Sequence, residues 1–191
     1  MLSYIAFIQF LNDVGVINSP MEKVSFLNSY VILREYDFES DPEKLVKYLF
    51  DKMNSKEGVK ELRKEDKIFR EATLGLTRFV AEIEGELHAT ITVEQGNSMW
   101  TEHRFRLFSI VTSLQYHGTG LSQLLFQYVK EWIIKQNGNL ILVETWEDNK
   151  RACSFYEKLG FKQYGCLPNG LKNRNGTGYV NEILYVYACH L

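Results

Sequence analysis

From Leu121 onward, apolar residues fall at positions 121, 124, 125, 128, 129, 132 and 133. That stripe has the period of an amphipathic helix, and Gly138 stops it. Upstream the period changes to two. Leu87, Ala89, Ile91 and Val93 alternate with His88, Thr90, Thr92 and Glu94, which predicts a strand over 87–94 with one core face and one face that is wet or lines a cleft. Glu84-Gly85-Glu86 joins it as a hairpin to a strand over 77–83. Further strands are expected at 30–36, 105–114, 161–167 and 180–189, and the unbroken apolar run 140–143 suits the middle of a sheet. Ser40-Asp41-Pro42-Glu43 carries capping residues and a proline at the first helical position, so a helix is expected over 42–54. A charged second helix is expected over 56–71, and a short one over 149–159, closed by Gly160.

This order, a strand and two helices, three antiparallel-type strands, then β-α-β-α and a terminal hairpin, predicts an α/β fold. Its expected form is a single mixed, mostly antiparallel sheet of about seven strands flanked by helices. The domain is set at 21–191. Residues 1–20 match no element that this fold needs and form an N-terminal extension with no assigned role. Met21 as an alternative start and a short helix packed on the core both remain open for them.

Composition narrows the class. Of 191 residues 45% are hydrophobic and 24% charged, with a net charge of −2 and no block of like charge. There is thus no electrostatic case for nucleic acid or an anionic membrane as partner. Cys153, Cys166 and Cys189 lack CxxC spacing, which argues against a disulfide framework or a metal site and for a reducing compartment. The apolar start has no basic segment and no small-residue cleavage site, and Asp13 interrupts it. The expected location is cytoplasmic.

Between the strand ending near residue 114 and the long helix stands QYHGTGLS, residues 115–122. A glycine turn opening a helix exposes unpaired backbone N–H groups at the positive end of the helix dipole, which favours phosphate. A Walker loop needs a lysine that is absent. A dinucleotide fingerprint needs a third small residue where Gln123 stands. QYHGTG does fit the Q/R-x-x-G-x-G/A signature, and NKRACSFYEKLGF, residues 149–161, resembles the second hallmark of the same family. On these two motifs and the strand SIVTS before them, the chain resembles the GNAT-type, acetyl-CoA-dependent N-acetyltransferases.

The resemblance implies an acetyltransferase that moves an acetyl group from acetyl-CoA to a primary amine of a small molecule or peptide, by direct attack on the thioester. The backbone N–H groups of Gln115, Tyr116, His117, Gly118, Thr119, Gly120, Leu121 and Ser122 would cradle the coenzyme A pyrophosphate. The side chain of His117 or Ser122 would add a contact, with His117 standing where a basic residue is usual. The strand residues Ser109, Ile110, Val111 and Thr112 would pair with the pantetheine arm, and one N–H among them would serve as oxyanion donor. Tyr156 would protonate the departing thiolate, and Asn149 and Phe155 would contact the cofactor. For the general base the residues leave Glu94, Glu144 and His103 as candidates, with Glu94 preferred. Trp100, Trp146 and Tyr164 are candidate walls of an acceptor pocket, and the loop 167–178 a candidate for acceptor selection. No metal is implied, and a homodimer is expected by resemblance alone. The alternative from another class is a non-catalytic acyl-CoA-binding sensor.

Overall fold

The structure, a computed structural model, describes residues 21–37, 76–173 and 177–189. The extension 1–20 and the helices expected over 42–54 and 56–71 lie outside the described residues. Two strands open the described chain, β1 (Glu22–Phe26) and β2 (Ser29–Glu35), paired antiparallel. Patterning did not predict β1, because Leu27 takes the turn at φ 53° with no glycine to announce it. Then come β3 (Leu76–Ile83) and β4 (Glu86–Gln95). Glu84 and Gly85 both carry positive φ between them, the backbone that a two-residue hairpin turn requires. β5 (Arg104–Thr112) is followed by a 3₁₀ turn at Leu114–Tyr116 and by α1 (Leu121–Lys135). β6 (Leu140–Trp146), α2 (Lys150–Leu159), β7 (Lys162–Lys172) and β8 (Tyr179–Ala188) complete the order.

Hydrogen bonding orders the strands β1-β2-β3-β4-β5-β6-β8-β7. The expected mixed α/β sheet is present, with eight strands among the described residues rather than about seven. β5 and β6 run parallel, and their pairing covers only Arg104–Arg106 against Leu140–Leu142. β5 also carries an extra residue. The Gly96 N–H bonds the Arg104 carbonyl and the Ser113 N–H bonds the His88 carbonyl, so eight steps along β4 match nine along β5. Ser109, at φ 50°, lies in that stretch, as expected of a β-bulge.

The chain divides into two compact units, Met1–Thr92 with Ser109–Val129, and Val93–Phe108 with Lys130–Leu191. In the first, Val31, Leu33, Phe79, Ile91, Leu121, Leu125 and Phe126 are buried, each contributing roughly 1.5–3 kcal/mol by leaving water. Phe79 meets Tyr128 edge-on at 5.9 Å. Of the two expectations for the polar face of β4, a wet face is not found: His88, Thr90 and Thr92 are buried, and Glu94 alone of that set is partly exposed. β4 lies between β3 and β5 in the sheet, and it is covered on both faces at these positions.

In the second unit Phe105, Ile133, Ile141, Val143 and Tyr185 form the core. Gly138 is forced by packing, since a Cβ there would lie 2.3 Å from Ile133 Cγ2 and 2.7 Å from the Phe105 ring. β7 runs past its expected end at residue 167 to Lys172, with a register shift against β8 between Leu167 and Leu171.

Candidate active site

The glycine turn belongs to the first unit. Its lead-in is a 3₁₀ turn in which the Tyr116 N–H donates to Ser113 O and the His117 N–H to Leu114 O. Gly118 and Gly120 adopt φ 77° and 94° with open space where a Cβ would point. Glycine is needed there for the left-handed backbone and not for room. The Leu124 N–H is the first donor of α1 to be satisfied, by Gly120 O. Among the described residues, the N–H groups of Gly118, Gly120, Leu121, Ser122 and Gln123 donate to no acceptor. Five donors at the start of a helix suit an anion of phosphate type. The set includes Gln123, which the motif did not name.

Side chains stiffen the turn. His117 Nε2 donates to the Thr112 carbonyl at 2.9 Å, and the Thr112 and Ser122 hydroxyls are hydrogen-bonded to each other. The Thr119 hydroxyl donates to Tyr116 O at 2.8 Å. His117 and Ser122, expected to reach toward a phosphate, thus both hold the strand end to the loop. Val111 packs against a cluster of Tyr36, Val80 and Leu87.

Tyr156 belongs to the second unit, on α2. Asn149 caps that helix, its Oδ1 accepting from the Ala152 N–H at 3.3 Å while its Nδ2 donates to Thr145 Oγ1 at 3.1 Å. Both ends of the Asn149 amide are therefore used inside the protein. The Tyr156 ring lies within 6 Å, centroid to centroid, of the rings of Phe155, Phe161 and Tyr185. Its hydroxyl has no hydrogen-bond partner among the described residues. Burial, and then Cys153 nearby, push it up to about 12, so it is a protonated donor at neutral pH. The Tyr185 hydroxyl donates to Glu157 at 3.2 Å and is itself shifted upward by burial, then by Cys153 and Glu157.

Two carboxylates of this unit flank one cation. Arg106 Nη1 lies 3.6 Å from Glu94 and its Nε 3.7 Å from Glu144. All three side chains are substantially exposed, so these pairs contribute little to stability. Glu182 joins them electrostatically. Burial and then the Glu144 carboxylate raise it above the ordinary carboxylate range, against a lowering by Arg106.

Residues 45–161 match the acetyltransferase (GNAT) family. The chain belongs to the GNAT family. Solved structures of similar fold include an acetyltransferase of the GNAT family from Streptococcus pneumoniae, at 18% identity and TM-score 0.66, covering 83% of this chain and 99% of that one. The ribosomal-protein-S5-alanine acetyltransferase from Vibrio fischeri aligns at 17% identity and TM-score 0.67, covering 88% and 97%. An aminoglycoside 6'-N-acetyltransferase complexed with coenzyme A aligns at 16% and 0.62, covering 83% and 97%.

Other residues singled out in this GNAT sequence belong to the second unit. His103 stands at the opening end of β5, where its carbonyl accepts from Asn139 and Leu140. Trp100 and Tyr164 are 76% and 54% exposed, while Trp146 donates through its indole N–H to Lys172 O at 3.1 Å. Among the described residues no helix is long and apolar enough to cross a membrane. Glu182 was missed, although a signal was present: it is the one charged residue of β8, YVNEILYVYA.

Proposed function

We propose that this GNAT protein transfers an acetyl group from acetyl-CoA to a primary amine of a small molecule or peptide. The observation that carries the reading is the row of five unpartnered backbone N–H groups at Gly118, Gly120, Leu121, Ser122 and Gln123. Its chemistry fits the pyrophosphate of coenzyme A, and family membership supports the same assignment. Acetyl-CoA would bring the acyl group already activated as a thioester. Backbone groups of Ser109, Ile110, Val111 and Thr112 would hold the pantetheine arm, and the bulge at Ser109 would re-aim an N–H group of β5 to serve as the oxyanion donor.

Tyr156 is proposed as the general acid. A phenol held at about 12 by its surroundings is protonated at neutral pH and would donate a hydrogen bond to the departing thiolate. Full transfer to a thiolate whose conjugate acid lies at about 8.5 by analogy with cysteine is uphill, so the proton would be shared as charge develops on sulfur rather than surrendered beforehand. Glu94, partly exposed beside Arg106, is the proposed base, taking the ammonium proton through a water. The upward-shifted Glu182 is its competitor. A Glu94→Gln variant that keeps the wild-type pH–rate profile, alongside a Glu182→Gln variant that shifts it, would move the role to Glu182.

The test is a calorimetric titration with coenzyme A and with pantetheine, followed by thiol release across a panel of amines. Tight binding of coenzyme A, much weaker binding of pantetheine, and thiol release with at least one amine are expected. Binding with no release for any amine would favour a sensor of acyl-CoA. No binding would overturn both readings.

A further inference from the structure

The buried imidazole of His88 lies on β4, outside both motifs, yet its contacts converge on the lead-in to the glycine turn. His88 Nδ1 is 3.1 Å from Ser113 Oγ and 3.3 Å from Gln115 Nε2. Its ring packs on the Tyr116 ring at 4.7 Å between centroids, and its carbonyl accepts the Ser113 N–H at 2.8 Å. One residue of an interior strand thereby touches three of the four residues from Ser113 to Tyr116. At 8% exposure the imidazole is itself held in place, so its grip transmits the position of the sheet to the loop. The Gln115 amide nitrogen can only donate, so Nδ1 accepts from it, and the Ser113 hydroxyl can donate to the same atom.

We propose that His88 is a positioning residue for the coenzyme A loop: its Nδ1 fixes Ser113 and Gln115, and so sets where the donors from Gly118 to Gln123 point. The proposal rests on the loop being the pyrophosphate cradle. Backbone donors bind an anion well only when they converge before the anion arrives, since ordering them on binding subtracts from affinity. A loop with two positive-φ glycines has many alternative conformations, and the imidazole removes them at the loop's root. Gln115 has thus a side-chain task, anchoring the loop to β4, besides the backbone task that the motif assigns to it.

The test compares His88→Ala, His88→Asn and His88→Gln, with Ser113→Ala as a variant on the loop side. Two readouts are taken, the coenzyme A dissociation constant and, in ligand-free protein, hydrogen exchange at the amides of Ser113, Tyr116 and His117. Asn places Oδ1 near the position of Nδ1, whereas Gln places its polar atoms farther out. The expected pattern is about a tenfold rise in dissociation constant and faster exchange for His88→Ala, the scale of one lost hydrogen bond. Partial effects are expected for Ser113→Ala, near-wild-type values for His88→Asn, and no recovery for His88→Gln. Unchanged exchange and affinity in folded His88→Ala, or equal recovery by Asn and Gln, would overturn the proposal. If the wild-type protein fails to bind coenzyme A while exchange still rises in His88→Ala, the cofactor assignment falls and the anchoring role of His88 stands.

Discussion

Tyr156 has three aromatic rings around it and a hydroxyl with no partner among the described residues, and these two facts set its proton chemistry. Tyr156→Phe keeps the ring and removes the proton. Turnover is expected to fall by roughly 10²–10⁴-fold, the usual worth of a positioned acid, with the coenzyme A dissociation constant unchanged; steady-state kinetics and calorimetry check the two halves. The same hydroxyl makes a prediction that needs no substrate. Its folded pKa of about 12 lies above the ordinary 10, so its contribution to stability is complete below pH 10 and is lost as the pH rises from 10 to 12. That loss amounts to about 2–3 kcal/mol. Thermal melts across this window should show a shallower alkaline decline for Tyr156→Phe than for wild type.

At the scale of elements, Asn149 joins β6 to α2 through both ends of its amide. Asn149→Ala should cost about 1 kcal/mol from the lost cap, while Asn149→Asp keeps the capping acceptor and offers the Thr145 hydroxyl an oxygen to donate to. Chemical denaturation should rank both wild type and Asp above Ala. Gly138→Ala should cost about 1–3 kcal/mol by overpacking against Ile133 and Phe105, again read from denaturation midpoints. Elements of this kind were legible where one rule dominated: the stripe of α1, the hairpin at Glu84-Gly85, and the stop signals Gly138 and Gly160. They were illegible where tertiary structure overrode the local signal. β1 turns into β2 at a leucine, and β7 continues past Pro168-Asn169-Gly170 because a register shift absorbs those residues and the Asn169 N–H finds Asn181 Oδ1. The site divides the same way. The glycine turn could be read from its residue types, but the anchoring by His88 and the electrostatic set around Glu182 depend on which strands are neighbours, and no local spacing records that.

For the molecule as a whole, ligand binding should register as stability. Coenzyme A at one hundred times its dissociation constant would add about 2.7 kcal/mol, which for a domain of this length is about 5–11 °C in melting temperature. A scanning melt with and without coenzyme A checks it, and pantetheine should give a much smaller rise. The three free cysteines bear on how this is measured. Cys166 is exposed and Cys153 and Cys189 are partly buried, so reductant should be present throughout, and an unchanged rise for Cys166→Ser would show that the exposed thiol takes no part.

Ser109 holds a left-handed backbone inside a strand, and that reverses the ordinary ranking of side chains there. At most strand positions a library of variants selected for function retains valine, isoleucine and threonine and discards glycine and asparagine. At position 109 the survivors should be glycine, asparagine and aspartate, with the β-branched residues lost first. One residue of β5 is in this sense under a turn's selection while its neighbours are under a strand's.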